Sequence, residues 1–195
     1  IVLRHGKVIA EGAWTPYDNG LPRQLYSLSK SVTSTAVGML VGEGKLDLDE
    51  YLVDIFPDKA PENPLHPAHK LMVRHLLTMS TGSEFNEIGS ALGADWVYEF
   101  LHANTKFEPG TAFLYNSMDT YMLAAVLHEK TGQTLTEYLR TRLYEPLGIR
   151  SFDWETCPRG VEKGGWGLSL ALEDVAKLGR LYLAGGTWET GKGRV

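Results

Sequence analysis

An α+β fold, helical through its middle and entered from a short antiparallel strand pair, is what this sequence predicts. Three observations carry that reading. The first residues form two apolar triplets around a Gly6-Lys7 turn, as a hairpin does. From Ser29 onward, apolar residues recur at helical spacing in one segment after another, with glycines between them. Few other stretches have a strand's composition, so most of the sheet that such a fold needs is expected to be lacking.

The elements follow in order. Strands are expected over residues 1–3 and 8–10. Residues 15–24 hold Pro16, Asp18, Asn19, Gly20 and Pro22, which is loop chemistry. Val32, Ala36, Val37, Leu40 and Val41 predict a helix from Ser29 to about Val41, stopped by Gly42 and Gly44. Pro57, Pro61, Pro64 and Pro67 make the next stretch an irregular connection. Further helices are predicted over 73–79, 94–103, 118–129, 135–143 and 172–183, punctuated by Gly82, Gly89, Gly110, Gly132 and Gly148. No internal repeat or long linker interrupts them. Residues 1–195 therefore read as one partial domain, with strands and loop over 1–26 and the first helix and helical region over 27–195.

Composition narrows the function. The chain is 43% hydrophobic and 22% charged, which is ordinary globular usage. A net charge of −5 argues against a phosphate backbone as partner, so no nucleic acid is expected. No apolar run approaches the roughly 20 residues that span a bilayer, so no membrane-spanning segment is expected. A single cysteine, Cys157, excludes an internal disulfide and a cysteine-rich metal site. His5, His66, His69, His75, His102 and His128 are scattered, without the spacing of H-E-x-x-H, and read as surface or structural residues. No metal is expected. The chain begins inside a strand pattern without Met, so residues are expected upstream, and no compartment is assigned.

One tetrad carries chemistry. Ser27-Leu28-Ser29-Lys30 is an S-x-x-K sequence where a loop enters a helix. Residues three apart share a helical face, which sets the amine beside the hydroxyl. A serine hydroxyl is a poor nucleophile until a base takes its proton, and a partly buried lysine can act as that base. The helix start adds free backbone N–H groups for a developing oxyanion. The tetrad alone is weak: with ten serines in the chain, about half a match arises by chance. The plain alternative makes Ser27 a helix cap and Lys30 a solvated side chain.

Context decides between these readings. The segment around Ser27 resembles the nucleophile segment of the serine β-lactamase, penicillin-binding protein and esterase family. GEGKLDLDEYLVDIFP (42–57), HLLTMSTG (75–82), FEPGTAFLYNS (107–117), YLRTRLYEPLGI (138–149) and GGWGLSLALEDVAKLGRLYL (164–183) are similar to later segments of that family, in the same order. The resemblance implies a bacterial β-lactamase/transpeptidase-like fold and hydrolysis through an acyl-enzyme. The substrate would be an amide or ester: a β-lactam, a D-amino-acid peptide or a small ester. It implies Ser27 as nucleophile, Lys30 as base, and Tyr115 as the residue that shares proton transfer with the lysine. It implies no cofactor.

The family's second motif is Tyr-x-Asn or Ser-x-Asn, whereas this chain reads Tyr115-Asn116-Ser117. Ser117 is therefore expected to serve as a weaker substrate-positioning hydroxyl, and the change argues against strong penicillin hydrolysis. Asn116 is at the wrong offset for that role. The third motif is [HK]-[ST]-G on a strand facing the nucleophile. Lys130-Thr131-Gly132 spells it but falls where a helix C-cap belongs. Thr190-Gly191-Lys192-Gly193 has no strand pattern. The true motif is thus expected beyond Val195, on C-terminal strands that complete the site. Trp166, in the Gly-rich turn, is a candidate wall for a substrate cleft. A non-hydrolytic penicillin-binding or sensor protein on the same fold is the alternative function.

Overall fold

The computed structural model describes residues 1–86, 93–190 and 193–194. Gly89, and the Gly191-Lys192 step of the C-terminal Thr-Gly-Lys-Gly run, lie outside the described residues.

The expected hairpin forms from β1 (Val2–Arg4) and β2 (Lys7–Ala10), antiparallel, with Leu3 opposite Val8. Its turn places His5 and Gly6 at φ of +50° and +75°, and glycine suits that conformation best. The last two residues of the stretch read as loop, Arg23–Gln24, instead form strand β3, and then comes α1 (Ser29–Gly42). Val32, Ala36, Val37 and Leu40 form the buried face of α1, as their spacing predicts. Gly44, at φ +69°, ends it in the left-handed conformation.

The proline-rich stretch contains more order than expected. Helix α2 (Leu52–Ile55) precedes it, and short 3-10 turns form at Pro57–Lys59 and Pro67–Lys70. Each turn starts on a proline, where the missing N–H costs nothing. Then follow α3 (Val73–Leu77), α4 (Trp96–His102) and α5 (Ser117–Thr131). Helix α5 is the centre of the molecule, buried without a break from Ser117 to Leu127. Gly132, at φ +68°, caps it, and Lys130 pairs with Glu50 on the opposite side. The literal Lys-Thr-Gly is thus a helix C-cap, as the sequence reading expected.

The single helix expected over 135–143 is instead broken. Helix α6 (Leu135–Leu139) widens into a π-helical turn at Arg140–Tyr144 and resumes as α7 (Glu145–Leu147). Pro146 explains the break: it has no N–H for the carbonyl four residues back, and its ring crowds that carbonyl. Two unforeseen strands follow, β4 (Phe152–Trp154) and β5 (Leu168–Leu170), and then α8 (Leu172–Leu183) at the expected bounds. A last antiparallel pair, β6 (Glu189–Thr190) and β7 (Gly193–Arg194), puts Thr190 and Gly193 in strands where the sequence showed no strand pattern.

Strand β5 is the middle of an antiparallel three-stranded sheet. Gln24 of β3 faces Ser169, and Asp153 of β4 faces Ser169 from the other side. The fold is α+β, as predicted, with its sheet in short pieces. Among the described residues, no helix is long and apolar enough to cross a membrane.

Candidate active site

Ser27 sits in a 3-10 turn, Tyr26–Leu28, that leads directly from β3 into α1. Two backbone bonds hold the approach: Leu25 N–H donates to Leu168 O on β5 at 2.7 Å, and Leu28 N–H to Leu25 O at 3.1 Å. Between them Tyr26 adopts φ +48°, a left-handed conformation costing a non-glycine residue about 1–3 kcal/mol. Strain of this kind collects where a chain must present a side chain in one direction. Ser27 lies exposed at the head of the helix, and Ser29 below it is buried, accepting from Leu168 N–H at 3.2 Å.

Lys30, one turn along α1, is half-buried. Its ammonium donates to Ser27 Oγ at 3.1 Å, to Ser117 Oγ at 3.0 Å and to the Gly165 carbonyl at 2.6 Å. All three N–H bonds of the amine are therefore committed. Tyr115, on the extended segment before α5, is 53% exposed and places its hydroxyl 2.7 Å from Ser27 Oγ. The Lys30 amine also stands 5.0 Å from the centre of the Tyr115 ring. Burial works to raise the Tyr115 phenol. The hydrogen bond with Ser27 and the nearby charge of Lys30 outweigh it, leaving the group below the ordinary tyrosine value.

All four residues singled out in the sequence thus meet at one point, although Tyr115 and Ser117 are far from Ser27 in the chain. Ser117 is buried (4% exposed), and its hydroxyl accepts from Lys30. Asn116, set aside at its offset, caps α5 by accepting from Met118 N–H and donates to the Ser83 and Phe85 carbonyls.

The third acceptor for Lys30 was missed by sequence reasoning. Gly165 O reaches the amine because the Gly164-Gly165 loop packs without side chains against α5. A Cβ on Gly165 would lie 2.5 Å from Ser117 O, and one on Gly164 would lie 2.8 Å from Thr120 O. Thr33 Oγ1 fixes the same loop by donating to Gly164 O at 2.9 Å. The signal was the glycine pair itself, noted only as a turn. Trp166, next along, is partly buried and stacks on Trp96 at 6.3 Å between ring centres. Cys157 is a buried free thiol. Among the described residues, no group of three or more His, Cys, Asp or Glu could hold a metal ion.

A family model described as Beta-lactamase matches residues 1–190. A 6-aminohexanoate-dimer hydrolase of Paenarthrobacter ureafaciens is 29% identical, aligned over 98% of this chain and 53% of its own length. A lovastatin esterase of Penicillium rubens is 26% identical over 83% of this chain and 46% of its own. For a D-aminopeptidase of Brucella anthropi the figures are 28%, 76% and 31%. The solved structure of a candidate 6-aminohexanoate-dimer hydrolase from Bacillus anthracis superposes with a TM-score of 0.82 at 23% identity, covering 95% of this chain and 54% of that one. That is a likeness of fold. The chain spans about half or less of the length of these curated relatives.

Proposed function

This chain belongs to the Beta-lactamase family, and from that premise we propose that it carries the acylation half of a serine hydrolase acting on a small amide or ester. One observation supports the reading above the others: Ser27 Oγ lies within hydrogen-bond reach of both the Lys30 amine and the Tyr115 phenol. A nucleophile, a cation and a phenol of lowered pKa make up the parts that acyl transfer needs.

The chemistry runs from these positions. Lys30, its three protons directed at Ser27, Ser117 and Gly165, stabilises the phenolate of Tyr115 by its charge. The phenolate accepts the Ser27 proton. Ser27 Oγ then bonds to the substrate carbonyl carbon, and the carbonyl electrons move to oxygen. The Ser27 backbone N–H, at the helix start, donates to that oxyanion. When the tetrahedral species collapses, the leaving amine or alkoxide takes its proton from Tyr115. Water then hydrolyses the ester left on Ser27. This assigns the base to Tyr115 and makes Lys30 its electrostatic partner, where the sequence reading had Lys30 as base and Tyr115 sharing the proton transfer. Ser117 acts as an anchor for Lys30. A second oxyanion donor is expected from the strand of the family's third motif.

The substrate class follows the relatives' names, which include a 6-aminohexanoate-dimer hydrolase, an esterase and a D-aminopeptidase. Labelling with a fluorophosphonate tests the proposal. Ser27 is expected to be the site of attachment, and labelling undiminished in Ser27→Ala would sink it. Steady release of p-nitrophenol from p-nitrophenyl esters separates a hydrolase from a protein that is acylated once and stops.

A further inference from the structure

Asp119 is the carboxyl whose surroundings the acylation chemistry leaves unused. It lies in the first turn of α5 with 0% of its surface exposed, and its bonding partner is a hydroxyl, Thr81 Oγ1, at 2.8 Å. In that bond Thr81 Oγ1 donates to Asp119 Oδ1, and it accepts from Ser83 N–H at 3.3 Å. Asp119 Oδ2 has no hydrogen-bond partner among the described residues, which suits a protonated acid and not a carboxylate. Burial pushes this carboxyl well above the ordinary range, against a smaller opposing pull from Thr81.

Thr81 belongs to a segment that splints Tyr115. Met79 O accepts from Leu114 N–H at 2.9 Å, and Ser80 O from Gly110 N–H at 2.8 Å. Ser83 O and Phe85 O both accept from the Asn116 side chain, at 3.2 and 2.8 Å. Both neighbours of Tyr115 in the chain are thus bonded to residues 79–85, while its own side chain projects toward Ser27. Together with the Asn116 cap, the side-chain bond from Thr81 to Asp119 fastens this splint to the helix that also carries Ser117.

We propose that the buried Thr81–Asp119 bond is a positioning element for Tyr115, setting the phenol's distance from Ser27 through the 79–85 splint. The inference rests on the acyl-enzyme reading, and its test separates the two. The rate of fluorophosphonate attachment to Ser27 is measured against pH for the wild type, Thr81→Val, Thr81→Ser and Asp119→Asn, with thermal melts alongside.

Thr81→Val is expected to label about ten- to a hundredfold more slowly, the cost of a misplaced catalytic group. Its rate should also climb at higher pH than the wild type's, because the phenol loses close contact with Ser27 and Lys30. Thr81→Ser restores the donor and should recover both rate and pH profile. Asp119→Asn, which keeps a neutral acceptor for Thr81, should stay within about threefold of the wild type. A Thr81→Val protein with the wild-type rate and pH profile overturns the inference and leaves acylation standing. Failure of the wild type to label at Ser27 overturns the underlying reading instead. If Thr81→Val melts below the assay temperature, Thr81→Ala is read by the same criteria.

Discussion

At the scale of single residues, the site depends on one hydroxyl shared between an amine and a phenol. Removing the phenol oxygen in Tyr115→Phe leaves Ser27 without its proton acceptor. Labelling of Ser27 should then fall by about a hundred- to ten-thousandfold, the range for a lost general base. Lys30→Met has a second signature. With the cation gone, the Tyr115 phenol returns toward its ordinary value, and the alkaline rise of the labelling rate should move to higher pH. A rate profile in Lys30→Met that rises at the wild-type pH would show that the amine does not act through the phenol. Asp119 makes a stability prediction of unusual sign. Its folded-state pKa is raised, so the unfolded chain releases this proton first and stability falls as pH climbs above about 4. Asp119→Asn removes that dependence. Urea midpoints of the variant and the wild type should agree at low pH and separate in the variant's favour toward neutrality.

At the scale of elements, glycines separate close approach from ordinary helix propensity. Gly165→Ala would force a Cβ to within 2.5 Å of Ser117 O, a backbone atom that cannot swing aside. The loop must withdraw, taking from Lys30 its acceptor, and overpacking of this kind costs about 1–3 kcal/mol. Melting temperature and Ser27 labelling should drop together. Gly38 is the contrast: it is exposed within α1, and nothing lies within 4 Å of an added Cβ. Gly38→Ala should raise stability by about 0.5–1 kcal/mol and leave labelling unchanged. The same contrast explains what the sequence disclosed. The helices with an apolar face, α1 and α8, were legible because their signal is local, and Ser27 and Lys30 were legible because three positions make one turn. Strands β3, β4 and β5 were not, since each has two or three residues and pairs with a partner far along the chain. Gly165 was hidden for another reason: its contribution is a carbonyl, and no side chain marks it. Pro146 was visible, but its effect, a widened turn before it, depends on packing that a pattern does not carry.

At the scale of the whole molecule, two carboxyls pull its acid–base stability in opposite directions. Glu43, at the end of α1, is bonded to Arg142 in the π-helical turn and to Lys45, and its pKa is lowered to about 2. A depressed carboxyl stabilises the fold above its unfolded value near 4.3, and that contribution disappears as pH falls toward 2. The wild type should therefore lose stability on acidification between those values, less steeply in added salt because the pair is partly exposed. Glu43→Gln should flatten this limb of the urea-midpoint profile, whereas an unchanged limb would place the acid sensitivity elsewhere. The three-stranded sheet has a wider consequence. Ser27 follows β3 closely and Gly165 precedes β5 closely, so the nucleophile and the carbonyl anchoring its amine hang from two strands joined by only two facing residue pairs. A pairing mistake of two residues along this ladder would carry the carbonyl about 6–7 Å away while leaving every helix intact. Such distant pairings close late, after local helices have formed. On dilution from denaturant, far-UV dichroism should accordingly return before the serine becomes reactive, and the lag between the two records when the ladder finds its register.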